Sequence, residues 1–436
     1  MKKITFSAVF AALFSILLVT GVSSCTSDEP VVLESVSNDM LVCNNSSHLR
    51  TLSDAYEIAL RATSMLDDLE DVRSRGISQR VLDVKNPAKV IRNPLSRGAG
   101  VINDTLMYVI NYADSMGFAV VSAVKGTPEL IAVTMKGSYD PSQPGDNPGF
   151  NMYMENAAQV LGSGGIAIDS SMFDPNGHIK PATFEKTLRD TVWIKRVAPK
   201  ARVNWGQSNP EGRECPNGKS GCAITAAAMA MCGLKYPTSI QLTYNPLKIS
   251  TLSLNWSELK KLKSWDLPRY GANDNNEVSE TIAKLCRQLG KLAGTKYHVD
   301  YHSWENSSSG TTTDGVDEMF NELGINHYKG NVTSGSLSND MNPESEVLVR
   351  GTKADDNNSV GHMWLCDGVK HYKIRNRYYR SFDSGATWTL QATDYSQEYI
   401  YNMFNWGWNG GENGYFLDMD FSDFNINVQY ISIWHW

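Results

Sequence analysis

The run SGCAITAAAMAM, residues 220–231, carries no charge and consists mostly of small side chains and methionine. Alanine is the strongest helix former, so the run predicts a helix. A helix that is apolar all round is stable only when it is packed on every side. The chain must therefore build further helices and a sheet around it. Ser220-Gly221 makes a tight turn ahead of it and places Cys222 at or beside the helix N-terminus. Unpaired backbone N–H groups and the helix dipole favour an anion there. They can lower a cysteine pKa from about 8.5 into the range of roughly 3.5–7.5. Cys232 and Cys286 lie inside apolar helical stretches and read as buried structural thiols.

After this run come helices, then strands. VSETIAKLCRQLGKLAG (278–294) and DGVDEMFNELG (314–324) have helical spacing. EVLVRGT, HMWLCDGVK, RYYRSF, YIYNMFNWGW, GYFLDMDF and YISIWHW read as strands. Helices first and sheet later is an α+β pattern. A smaller α+β unit with an antiparallel sheet precedes it, over roughly 50–165. It begins with a helix from Leu52, with Ser53 as its cap, and continues through the strands YVINY, GFAVVSA and ELIAVTM to a helix in NPGFNMYMENAAQVL. The segment RSRGISQRVLDVKNPAKVIRNPLSRG is broken by Pro and Gly into loops and edge strands. KTLRDTVWIKRVAPKARV is basic and reads as an exposed connection between the two units.

The first residues, MKKITFSAVFAALFSILLVTGVSSC, have two lysines, an apolar run and small residues, which is a secretory leader. Val22-Ser23-Ser24-Cys25 resembles a bacterial lipobox, which would make Cys25 a lipidated first residue. The alternative is ordinary cleavage near Ser24. One lipidated terminus anchors a domain without spanning a membrane. The divisions expected are a signal peptide at 1–24, a tether at 25–50, and then the two folded units. The expected location is the outer membrane or cell surface, from which the mature domain could be released.

About 410 residues would remain after processing; the full chain of 436 residues is 41% apolar and 20% charged, as globular proteins are. Net charge is −7 and the basic residues are scattered, so no basic face for nucleic acid is expected. Six cysteines beyond Cys25 are too few for a disulfide scaffold. A Cys215–Cys222 bridge would silence Cys222, so the free thiol is expected.

Three further blocks complete a reactive set. His362 opens the strand HMWLCDG after the polar loop ADDNNSVG, and Gly361 leaves room for an approach to the backbone. Asn405 and Trp406 follow in FNWGWNGG. An amide oxygen there could accept from the His Nδ1–H and turn Nε2 to a thiolate, with the tryptophan shielding the bond. Gln207, 15 residues before Cys222, could join the Cys222 N–H in holding an oxyanion. A zinc site from Cys215, Cys222, His362 and Cys366 is disfavoured. His362 and Cys366, four residues apart on one strand, would be about 13 Å apart.

The blocks NWGQSNP, SGCAITAAAMAM, SSSG, VDEMFNELG, VGHMWLCDG and NWGWNGGENGYF resemble, in order over about 200–436, streptopain-type bacterial cysteine peptidases. The resemblance implies a papain-like two-subdomain fold, a helical part plus an antiparallel sheet, and manufacture as a zymogen. It implies Cys222 as nucleophile, His362 as base, Gln207 as oxyanion donor, and Asn405 and Trp406 as orienters of His362. Ser309 and Gly361 would line the substrate cleft. Residues 51–189 would be the inhibitory propeptide and 190–436 the peptidase domain, with cleavage between about Lys186 and Arg202. Protein or peptide substrates and the chain's own propeptide as inhibitor are the partners expected; the expected membrane contact is through the lipid on Cys25 alone, and no cofactor, metal or nucleic acid is expected. The His362–Asn405 gap is longer than the family leads one to expect, which suggests an inserted hairpin around 372–396. The alternative is a non-catalytic surface binding protein that keeps the peptidase fold. The intact Cys/His/Asn/Gln set argues against it.

Overall fold

The computed structural model describes residues 49–66, 80–83, 88–92, 105–162, 185–262, 277–299, 307–353, 361–381, 388–419 and 426–435. The leader, Cys25, nearly all of the tether, residues 163–184 and most of the loop ADDNNSVG lie outside them. No helix among the described residues is long and apolar enough to cross a membrane.

The N-terminal unit follows the expected order. Helix α1 (Leu52–Ala62) buries Ala55, Ile58, Ala59 and Ala62 on one face. Its cap is Thr51 rather than Ser53: Thr51 and Asp54 exchange side-chain and backbone hydrogen bonds in a capping box. Strands β1 (Lys89–Arg92), β2 (Thr105–Asn111), β3 (Phe118–Ser122) and β4 (Leu130–Thr134) pair antiparallel in sequence order. Strands β3 and β4 are buried at every position, so they read as continuous apolar runs. Helix α2 (Pro148–Gly162) packs beside β2.

The second part begins with β5 (Glu185–Val197) and helix α3 (Cys222–Leu234). A small hairpin, β6 (Ser239–Leu242) and β7 (Ser250–Ser253), precedes the short α4 (Trp256–Leu259) and helix α5 (Glu277–Leu292). Then come the pair β8 (Lys296–His298) and β9 (Ser308–Gly310), helix α6 (Thr313–Glu322), β10 (Asn326–Asn331) and the short α7 (Ser336–Asp340). Strands β11 (Ser345–Lys353), β12 (Gly361–Arg380), β13 (Thr389–Asn405), β14 (Gly414–Leu417) and β15 (Ile426–Trp434) finish the chain. The fold is α+β with antiparallel sheet, as expected. Helix α3 packs against β11, β12, α5 and α6. Its residues Ala226 to Cys232 are fully buried among Ile282, Leu285, Leu289, Phe320, Leu348, Leu365 and Ile431. Full burial is what its all-apolar surface requires.

Three features differ from the sequence reading. The N-terminal sheet is not closed on itself: β4 pairs with β14, giving one sheet in the order β1-β2-β3-β4-β14-β13-β12-β11-β15-β10. The open edge of β4 is thereby covered by the C-terminal part. RYYRSF is not a separate strand, because β12 runs on through the polar stretch KIRNR; with β13 it makes the hairpin expected around 372–396. The basic connection is strand β5, hydrogen-bonded to β12 from Val369 to Arg380. It is still exposed at Trp193 and Ile194, and Asp190 binds Arg375 and Arg377 across the pair.

Candidate active site

Cys222 is the first residue of α3. Gly221 before it has φ +89°, a backbone region that glycine enters without strain. The turn is tied down from several sides. Ser220 N donates to Gln207 O at 2.8 Å, and Thr225 Oγ1 donates to Gly206 O at 3.0 Å. Gln207 is thus fixed beside the turn that carries the thiol. Gly206 N in turn donates to the buried Glu211 carboxylate at 3.2 Å. Ser309 closes the other flank. Its Oγ donates to Lys219 O at 2.8 Å, and its backbone abuts Gly221.

His362 is buried and reaches Cys222 from the start of β12. Burial alone would push the Cys222 thiol up. The His362 charge and hydrogen bond, with the backbone N–H groups of Met363 and Ala223, outweigh it and bring the pKa below the usual cysteine value. Nε2 of His362 lies 2.9 Å from Trp406 O. That leaves Nδ1 for the hydrogen bond with Cys222. Trp364 stacks beside the imidazole at 6.2 Å and Trp408 meets it edge-on at 5.9 Å.

Two expectations about this ring are corrected. The anchored nitrogen is Nε2, and its partner is a backbone carbonyl rather than the Asn405 amide. Asn405 instead donates from Nδ2 to Val203 O at 2.6 Å and accepts from Gly407 N at 3.2 Å. It ties the turn around Trp406 to the segment at Val203, so its support of His362 is indirect. Trp406 is fully buried, with its backbone N–H held by Asn413 Oδ1 at 3.0 Å. The room left by Gly361 is taken up by Thr352 of β11, whose Cγ2 would lie 2.7 Å from a Cβ at 361.

The sequence reading did not single out Asp367, the Asp of VGHMWLCDG. It is buried and accepts backbone N–H groups from Lys200 (2.7 Å), Ala201 (2.9 Å) and Arg202 (3.2 Å). This carboxylate pins the chain where it enters the second part. Cys215, Cys232, Cys286 and Cys366 are free and buried, and burial raises each thiol.

The N-terminal part reaches into this site. A Cβ placed on Gly149, at the start of α2, would lie 2.5 Å from His362 Cδ2 and 2.7 Å from Trp406 Cε3. Phe150 meets the Trp406 ring edge-on at 6.3 Å. Only a residue without a side chain fits between α2 and the imidazole.

Residues 202–416 match the model of the Peptidase C10 family. They belong to that family, the streptopain family of cysteine peptidases. Among solved structures, a fragment of Prevotella intermedia prointerpain A carrying a cysteine-to-alanine mutation is similar over 75% of this chain and 94% of its own. Its identity is 18% and its TM-score 0.44. The active wild-type interpain A cysteine protease of Prevotella intermedia is similar over 55% of this chain and 95% of its own, at 15% identity and TM-score 0.33. No curated protein matches the chain. The C10 match contains Gln207, Cys222, Ser309, His362, Asn405 and Trp406.

Proposed function

We propose that the chain is an exported cysteine endopeptidase, made as a zymogen and held at a membrane face through Cys25. The observation that carries the catalytic part is the Cys222–His362 pair at the helix N-terminus, with the thiol pKa lowered. His362 takes the thiol proton and the thiolate attacks a peptide carbonyl carbon. The negative charge that develops on oxygen is held by the Cys222 N–H and the Gln207 side-chain amide. His362 then gives its proton to the departing amine, the C–N bond breaks, and a thioester remains on Cys222. Water, deprotonated by His362, hydrolyses the thioester and restores the thiol.

Latency rests on the seat of α2. Gly149 and Phe150 cover His362 and Trp406, so α2 occupies ground that a peptide approaching the pair would need. Cleavage between Lys186 and Arg202 would have to unpair β5 from β12, because this segment is a strand and not a free loop. Export and anchoring rest on the leader and on Val22-Ser23-Ser24-Cys25. The test is incubation of the purified proform with casein, wild type against Cys222→Ala, with N-terminal sequencing of the active species. Casein cleavage and Cys222-dependent processing are expected. Full activity in Cys222→Ala would sink the mechanism. Anchoring is checked by incorporation of labelled palmitate, which Cys25→Ser should abolish.

A further inference from the structure

Glu412 stands in the turn between β13 and β14, beside the ground that α2 covers. Its Oε2 accepts from the Asn147 side-chain Nδ2 at 3.0 Å. Asn147 is itself buried, and its Oδ1 accepts from Phe150 N at 3.2 Å, just ahead of the glycine that lies on His362. Trp406 Nε1 donates to Glu412 O at 3.0 Å. The backbone of Glu412 is therefore tied to the ring that Gly149 covers, and its carboxyl group to Asn147, two residues before that glycine. Burial under the N-terminal part raises the Glu412 pKa, and the Asn147 hydrogen bond only partly offsets this.

His362 must deliver its proton to the departing amine, so the half of the substrate that leaves first lies on the His362 side. Trp406, and beyond it Glu412, line that side. Asn147 and Gly149 are two residues apart, a span of at most about 7 Å. A substrate residue reaching Glu412 is then within the first two after the cut bond. Once α2 leaves, the carboxyl group loses its cover and meets water, which favours the carboxylate. An anion at this rim attracts a cation and repels another carboxylate.

We propose that Glu412 is a specificity-determining residue of the processed enzyme: it selects peptides with Lys or Arg in the first two positions after the scissile bond and rejects Asp or Glu there. This rests on the peptidase reading given above.

The experiment uses processed wild-type enzyme and quenched fluorescent peptides that differ only by Lys, Gln or Glu at those two positions. A Lys-over-Glu ratio in kcat/KM of about tenfold or more is expected. Glu412→Gln should bring the ratio close to one, and Glu412→Lys should invert it. If the variants do not fold, the wild-type Lys-over-Gln ratio is followed with pH, because neither of those peptide side chains titrates in acid, and it should collapse as the Glu412 carboxylate is protonated. Equal wild-type rates for Lys and Glu peptides at neutral pH overturn the assignment, as does a preference that survives in Glu412→Gln or stays constant down to acid pH. A processed enzyme that cuts neither these peptides nor casein overturns the peptidase reading instead.

Discussion

The two ends of helix α3 hold thiols of opposite character. Cys222 at the N-terminal end has its pKa lowered. Cys232, near the C-terminal end, is pushed up to about 12. Burial acts on both in the same direction, against the thiolate. At Cys222 it is outweighed by the imidazole charge and by N–H groups that point at the sulfur. At Cys232 the charge of Lys260 is opposed by Asp367 and Glu346, and burial wins. The helix dipole adds to the contrast, since its positive end faces Cys222. Reactivity is therefore set by the partners that each thiol meets.

The largest break in this comparison is removal of the charge partner. Cys222→Ala or His362→Ala should lower kcat/KM by about 10³-fold or more, with the chain still folded. In His362→Ala the Cys222 thiol should behave as Cys232 does. Alkylation by iodoacetamide, followed against pH by mass spectrometry, checks this. In wild type, Cys222 should react well below pH 8.5 while Cys232 stays unlabelled. The linkage has a definite sign. The folded pKa of Cys222 lies below its unfolded value, so its ionisation contributes stability that is present above the unfolded pKa and lost as pH falls through the folded one. Thermal unfolding of His362→Ala should lack that contribution.

Next in size is the oxyanion partner. Gln207→Ala should reduce kcat by about 10²–10³-fold with KM little changed, as measured on a fluorogenic peptide. A rise in KM at constant kcat would make Gln207 a binding residue instead.

A smaller effect is expected from Gly149→Ala in the proform. The added methyl group would sit 2.5 Å from His362 Cδ2, so α2 must lift. Overpacking of this kind costs roughly 1–3 kcal/mol. The proform should then show basal activity raised by about tenfold, and faster labelling of Cys222. Unchanged labelling would mean that α2 does not control access to the pair.

These sites were unequally legible in the sequence. The all-apolar run with Gly221 ahead of it announces α3 and its reactive end, because both follow from local propensity. The continuous apolar runs of β3 and β4, and the helix after Pro148, are readable for the same reason. The acceptor for His362 is a backbone carbonyl, which every residue carries, so no side-chain pattern could point to Trp406 O. Asn405 stands out in the sequence by its type, but its hydrogen bonds go to Val203 and Gly407. Asp367, Glu346 and Glu412 gain their character from burial against distant segments. The pairing of β5 with β12 was hidden because an exposed strand of mixed charge looks like a loop until its partner is known.

The smallest expected effect belongs to Cys232, and it sharpens the comparison most. Cys232 is fully buried on the same helix, so any route from general burial to catalysis would include it. Cys232→Ala removes one sulfur from a close-packed site, at a cost of about 1 kcal/mol of stability. Cys232→Ser keeps the volume but buries a hydroxyl, which costs about 1–3 kcal/mol when no partner is supplied. The serine variant should therefore melt below the alanine variant, while both keep wild-type kcat/KM and wild-type labelling of Cys222. A large loss of activity in either would show that the two ends of α3 are coupled through its packing. Equal melting of the two variants would show that the introduced hydroxyl had found a hydrogen-bond partner, with the i−4 carbonyl of Ala228 the one within reach on a helix.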